Sequence, residues 1–440
     1  LTGLRLLYSS NAPWARSGYG VQGASLLPRL ADLPQFDGRE SVAIFAWYGL
    51  QGGIHNVDGF ACYPAGQDAY GNDIIRSHTA HHKANVVITL IDAWVLRDTA
   101  AQVTPALWCP WLPIDHDPVP KKVLDAIKGA HLPLTYSKWG AKMLTDAGVE
   151  NHYIPHGIEP AVYRVADDRE PVDGFKRQIF SGREPGHLTV MVAANKGYPD
   201  RKAFQVQLRA WAAFAQDKPH ARLYIHTEPT PMYGGINLPA LVTHLGIADR
   251  TVFPDRYQNF LGYPDEYMSL LYNCADAFLG AAMSEGFGIP IIEAQACGVP
   301  VVVTDFSAMP ELVRWGYKVP PRDMVWTPMD AWQAWPDVDG ITDALNSLYR
   351  EWAGGWSVGR RMRAQEAIHA EYSWDSIVRD QWAPLMEKLE RTLKEPAEQT
   401  PAPFADTRTI DVSGRTRTKA VRVEANGLHP TPVVTVEPNE

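Results

Sequence analysis

The stretch SEGFGIPIIEAQACGVPVV, residues 284–302, sets two glutamates eight positions apart across a Gly-Phe-Gly turn and then runs into a proline-bounded valine strand. Just upstream lies the apolar run ADAFLGAA (275–282), so the order is strand, glycine turn, helix, strand. That is one unit of a parallel α/β sheet, and in such sheets ligands sit outside the carboxyl ends of the strands, where loops enter helices. Gly286 and Gly288 permit close backbone approach, and a helix start offers free N–H groups to an anion. A carboxylate repels phosphate but accepts hydrogen bonds from hydroxyls, so Glu285 and Glu293 suit a polyol with phosphate beside it. A nucleotide sugar has that layout. The plainer alternative is one capping carboxylate and one exposed helix residue.

Working outward, LTVMVAAN (188–195), RLYIHT (222–227), TVFP (251–254) and PVVVTD (300–305) read as further strands of the same sheet. AFQVQLRAWAAFAQD and DEYMSLLYNCA read as helices between them. An earlier series repeats the pattern: LRLLYSS (4–10), SVAIFAW (41–47), ANVVITLID (84–92) and the strand and helix of LPLTYSKWGAKMLTDAG, with Gly148 as a helix stop. The charge-mixed segment 164–186 separates the two series and reads as a linker region. Beyond them, 372–393 reads as one amphipathic helix capped by Ser373. The Pro- and Thr-rich tail 396–440 reads as a weakly ordered extension, with KAVRVEA and TPVVTVE as short strand candidates. The predicted fold class is therefore α/β: two facing, doubly wound, Rossmann-like domains with a cleft between them, plus a C-terminal extension.

Bulk properties agree with this reading and narrow the function. At 440 residues the chain exceeds one ordinary core. A formal net charge of -9, with no long run of Lys or Arg, disfavours a nucleic-acid backbone footprint. Cys62, Cys109, Cys274 and Cys297 are far apart and never form a C-x-x-C pair, which fits a reducing cytoplasm. No 18-residue apolar run or signal-peptide pattern appears, so no transmembrane segment is expected and a cytoplasmic location is. HTAHH (His78, His81, His82) invites a metal reading but has no carboxylate or Cys at ligand spacing.

With its glycines, Pro290 and the EAQACGVPVVVTD that follows, the opening stretch resembles the donor-binding motif of the family 4 retaining GT-B glycosyltransferases (glycosyl transferases group 1), E-G-F-G-x-P-x-x-E-A followed by a G-x-P-V-V strand. The resemblance implies that Glu285 holds the donor sugar, that the backbone of Gly286, Phe287, Gly288 and Ile289 lies beside sugar and phosphate, and that Glu293 binds the ribose diol. AANKGYPDRK resembles the first strand and loop of that family's donor domain, which implies diphosphate binding by Arg201 and Lys202, with Asn195 alongside and Lys196 able to replace either cation. Gly18 and Gly20 of RSGYG occupy the place of a Gly-rich loop beside the diphosphate. His116 of WLPIDHDPVP matches a histidine near the transferred sugar, and the same cleft-lining argument extends to Asp92. LTYSKWGAKMLTDAGVENHYIPHGIEPAVYRV resembles the stretch ending the family's first domain, with Glu159 where an Asp is usual. In TDFSAMPELV (304–313), Ser307 and Ala308 replace glycines that often precede the Pro-Glu.

The implied domains are an acceptor domain at 1–170, a nucleotide-sugar donor domain at 171–371, a helix at 372–395 returning to the first domain, and the 396–440 extension. The implied activity is transfer of a sugar, a hexose by preference, from a UDP-, GDP- or ADP-sugar with retention of configuration. No cofactor or metal ion is required. The acceptor stays open among protein, glycan, lipid, metabolite and modified nucleic acid. Trp14, Trp47, Trp94, Trp108 and Trp111 are either sugar-stacking or core residues. Three rivals stay open: a noncatalytic carbohydrate-binding scaffold, a nucleotide-sugar epimerase, and a dinucleotide oxidoreductase reading Gly18, Gly20 and Gly23 as G-x-G-x-x-G.

Overall fold

The computed structural model describes residues 3–197, 200–232 and 234–395, together with the backbone of two short strands, Arg408–Ile410 and Thr416–Thr418. The first lobe is built on strands β1 (Leu6–Asn11), β2 (Val42–Tyr48), β3 (His55–Val57), β4 (Phe60–Pro64), β5 (Val86–Leu90), β6 (Leu107–Leu112), β7 (Leu134–Thr135) and β8 (His152–Tyr153). They lie in the order β3-β4-β2-β1-β5-β6-β7-β8. All neighbours are parallel except the β3/β4 hairpin. β1 and β5 are buried along their whole length, as strands covered on both faces must be.

The second lobe repeats the scheme with β9 (Leu188–Val192), β10 (Arg222–His226), β11 (Thr251–Val252), β12 (Ala277–Leu279), β13 (Val301–Thr304) and β14 (Gly316–Val319). The order is β11-β10-β9-β12-β13-β14, parallel throughout. In each sheet the chain moves out to one side and then returns to the other flank of its first strand. The direction therefore reverses between β1 and β5 in one lobe and between β9 and β12 in the other. Loops leaving such a pair splay apart and open a crevice. The loops after β9 and β12 carry Arg201, Lys202 and Glu285; the loop after β1 leads into a helix that starts at Gly18, and the loop after β5 carries Asp92.

Two segments differ from the sequence reading. The expected linker contains the helix Glu170–Ile179, whose Val172 and Ile179 are buried in the core and whose Lys176 pairs with Asp276 at 2.6 Å. Asp323–Trp326 (β15) and Trp332–Trp335 (β16) form an antiparallel hairpin in a stretch for which the sequence reading named no element. The C-terminal helix runs through Trp374–Ile377, a π-wound turn Val378–Trp382, and Ala383–Lys394, and Ser373 Oγ accepts from Ser376 N at its start. It lies on the first lobe: Ile158 bridges Ser373, and Trp382 packs edge-on against Trp111 at 5.1 Å. A Cβ at Gly157 would sit 2.6 Å from the Trp374 ring, so glycine is what admits the indole.

Residues 394–440 form a separate unit, in which Arg408–Ile410 pairs antiparallel with Thr416–Thr418. KAVRVEA and TPVVTVE lie outside the described residues. Among the described residues no helix is long and apolar enough to cross a membrane.

Candidate functional site

The site is assembled from four strand ends. Arg201 and Lys202 precede the helix Phe204–Ala215 and turn onto carboxylates: Lys202 Nζ pairs with Glu285 Oε1, and the half-buried Arg201 has Nη1 3.6 Å from Glu285 Oε2 and 3.7 Å from Asp115 Oδ2. Arg201 also donates to the Ser284 carbonyl at 2.9 Å while its own carbonyl accepts from Met283 N. Glu285 N in turn donates to Ser307 Oγ at 3.0 Å, so the serine standing in place of a family glycine holds the glutamate's backbone. Burial lowers the Lys202 ammonium more than Glu285 restores it. For Arg201 burial is outweighed by Glu285, Asp115 and Asp92, and its proton is held more tightly than usual.

From the first lobe, His116 Nδ1 meets Asp115 Oδ1 at 2.7 Å. Burial would raise the Asp115 carboxyl, but the His116 hydrogen bond together with Arg201 and Lys202 brings it below the usual range. Asp92, half-buried, is pushed the other way by desolvation and then by the Asp115 charge. Two cations are thus wedged among three carboxylates, with Tyr19 and Tyr136, 3.4 Å apart at their hydroxyls, completing the first-lobe wall.

The helix Ile289–Ala296 begins at Gly288 with φ of 106° and no side-chain cap. Pro290 brings no N–H to its first turn and Ile291 N donates to Gly288 O at 2.9 Å, so Ile289 N–H is left for another acceptor. Lys202, Glu285, Gly288, Ile291, Val192 and Gly280 line a cavity at the ends of β9 and β12. Gly286 meets the other lobe: a Cβ there would fall 2.5 Å from Pro113 Cβ. Phe287 is buried against Tyr136, His156 and Tyr372 and anchors the turn by packing.

Other candidates separate by place. Gly18 faces Ile289, its added Cβ lying 3.9 Å from Ile289 Cδ1. Gly20 is required by packing, since a Cβ would lie 2.2 Å from the Ala15 carbonyl oxygen. Gly18, Gly20 and Gly23 all fall inside the helix Gly18–Ala31, so they do not form the tight turn a dinucleotide fingerprint needs. Asn195 is buried with its amide spent on Glu228 O, Ile236 O and Ile236 N, which makes it a brace for the loop. Lys196 is exposed. His78, His81 and His82 bond to Pro64 O, Tyr63 Oη and Ser41 O respectively. Among the described residues, no three His, Cys, Asp or Glu side chains are grouped to hold a metal ion. Of the five tryptophans, Trp108 and Trp111 are core, and Trp14 and Trp94 are exposed.

Glu293 shares no hydrogen-bond partner with Glu285. It is 9% exposed, accepts from Tyr272 Oη at 2.8 Å, and has its carboxyl pushed up by burial to about 7. The native state thus keeps a proton that the unfolded chain releases above its ordinary value of 4.5. Stability falls as pH rises through that window, and the full cost is present above about 7. Glu293→Gln should raise stability at pH 8 by on the order of 1–3 kcal/mol and change it little at pH 4. Urea midpoints at the two pH values check this; an equal gain at both would refute the assignment.

Asp115, Tyr272 and Ser284 were not singled out from the sequence. Asp115 alone had a signal, its place at the carboxyl end of a strand beside His116.

Residues 187–349 match the family described as Glycosyl transferases group 1. The D-inositol 3-phosphate glycosyltransferase of Acidothermus cellulolyticus is 29% identical over 217 residues, 44% of this chain and 42% of that protein. The chain spans between 14% and 42% of the length of the first curated relatives it matches. Sucrose-phosphate synthase from Thermosynechococcus elongatus superposes with a TM-score of 0.67 at 16% identity, over 89% of this chain and 99% of that one. HepE from Anabaena, solved with UDP and glucose, gives 0.62 at 14% identity over 89% and 99%. The fold is GT-B, and the family match covers 187–349, which is most of the second lobe.

Proposed function

We propose that this chain is a glycosyltransferase that moves a hexose from a nucleotide sugar to an acceptor hydroxyl with retention of configuration and no required metal ion. The observation that carries the reading is the Arg201–Lys202 pair, folded inward onto Glu285 beside the uncapped start of the Ile289–Ala296 helix. A departing nucleoside diphosphate needs fixed positive charge and oriented N–H groups where its bond to the sugar breaks. Glu285 accepts hydrogen bonds from sugar hydroxyls, and Glu293, already partnered by Tyr272, accepts from the ribose diol. His116 faces the transferred sugar from the first lobe.

In this reading the bond from the anomeric carbon to the phosphate oxygen breaks as the acceptor oxygen bonds on the same face. The acceptor proton passes to a phosphate oxygen. Arg201 and Lys202 exchange carboxylate partners for phosphate, and no side chain serves as a nucleophile. HepE, solved with UDP and glucose, supports the donor class by analogy of fold. Buried free cysteines suit a reducing, cytoplasmic setting.

The test is binding and hydrolysis of a panel of UDP-, GDP- and ADP-sugars in the presence of a chelator, for the wild type, Glu293→Ala and Arg201→Ala. One donor should bind and slowly release its nucleoside diphosphate, with at least a tenfold loss of affinity in Glu293→Ala. If no nucleotide sugar binds, a noncatalytic scaffold becomes the better reading. Consumption of donor to an isomeric nucleotide sugar would indicate an epimerase.

A further inference from the structure

The β15/β16 hairpin belongs to the second lobe but is fastened to both. On its inner side, Gln333 Nε2 donates to Ser284 Oγ at 2.6 Å, with both side chains buried, and Ala334 N donates to the Met283 carbonyl at 3.2 Å. On the same strand, Trp332 and Asp117 exchange backbone hydrogen bonds, Trp332 N to Asp117 O at 2.7 Å and Asp117 N to Trp332 O at 3.1 Å. At the tip, Met329 packs into a first-lobe cluster with Ala93, Leu112 and Ile114. Two consecutive residues of β16 therefore hold the residue before Glu285 and the residue after His116.

We propose that Gln333 is a positioning residue for Glu285, acting through Ser284, and that the hairpin thereby sets Glu285 in register with the first-lobe wall of the cleft. The claim that this matters for turnover rests on the donor-site reading above. The physical basis is that Ser284 has two separate tasks. Its carbonyl fixes Arg201 and its hydroxyl is held by Gln333, so the peptide leading into Glu285 is pinned from both sides. A buried hydroxyl that loses its partner must rotate or admit water, and either loosens that peptide. A carboxylate that orients a substrate has to be held to within roughly 0.5 Å, which is the work of such supporting bonds.

The test uses Gln333→Met, which keeps length but removes the donor, Ser284→Ala, and the double variant in the full chain. Turnover is read with whichever of UDP-glucose, GDP-mannose or ADP-glucose the wild type hydrolyses, and affinity for the free nucleoside diphosphate alongside. Each single variant should lose about tenfold in kcat with nucleotide affinity within about twofold, and the double should lose no more than either single. Losses that multiply would overturn the proposal, because the two side chains would then act separately. Hydrogen exchange without ligand decides the positioning claim even if no donor is consumed. Amides of 283–288 should exchange faster in Gln333→Met while β1 and β5 stay unchanged, and unaltered exchange at 283–288 overturns it.

Discussion

Arg201→Ala is expected to lower kcat/KM for donor turnover by roughly 10²–10³-fold, the usual effect of removing one fixed group from a developing negative charge. The size of the effect follows from how little Arg201 must reorganise. Its Nη1 already donates to the Ser284 carbonyl, and its main chain is tied to Met283, so the guanidinium waits in place between Glu285 and Asp115. Lys202 does not make up the loss, because it supplies a single ammonium whose affinity for a proton burial lowers. Loss of Arg201 also leaves carboxylates facing one another, so a melting curve must accompany the kinetics, with Arg201→Lys as the control that keeps the charge. Turnover within about threefold of wild type in a folded Arg201→Ala protein would remove Arg201 from the diphosphate site.

The second large effect is on stability. Trp382 is fully buried, edge-on to Trp111, in the π-wound turn of the returning helix. Trp382→Ala should cost about 3–5 kcal/mol, a large share of the about 5–15 kcal/mol that holds a typical fold. Trp326, half exposed and edge-on to Trp332 at 4.9 Å, is the comparison, and its alanine variant should cost about 0.5–1.5 kcal/mol. Denaturant midpoints of the two variants settle the matter: if they coincide, the helix contributes little to the first lobe.

Glycine and proline made the fold legible. The run from 275 to 305 carries Gly286, Gly288, Pro290, Gly298 and Pro300 at its boundaries, and the structure turns or starts an element at each. Buried strands such as Val86–Leu90 announce themselves by unbroken β-branched runs. The helix Glu170–Ile179 was hidden because Val172, Phe175 and Ile179, its apolar face, are spaced among charges and follow Pro171. The β15/β16 hairpin was not singled out from the sequence, where Pro320, Pro321 and Pro328 interrupt the strand pattern although tryptophans recur through it.

At the site, the residues the chain itself brings close were readable, and their distant partners were not. Tyr272 reaches Glu293 from another helix, and Gln333 reaches Ser284 from another strand. Neither spacing corresponds to a period of helix or sheet. Asn195 shows the opposite case: the sequence reading set it beside the diphosphate, yet its amide is consumed by Glu228 and Ile236 of the loop after β10.

The returning helix also sets the order in which the molecule can be completed. Arg29, on the helix Gly18–Ala31, pairs with Glu159 of its own lobe and also with Asp375, 346 residues later. At ordinary translation speeds that is a wait of roughly 20–70 s, during which the second lobe emerges and can fold while the first cannot close. Throughout that interval the Trp111 face that Trp382 will cover is open to water and to other nascent chains. The first lobe is thus completed by residues made well after it, those of the helix over 374–394.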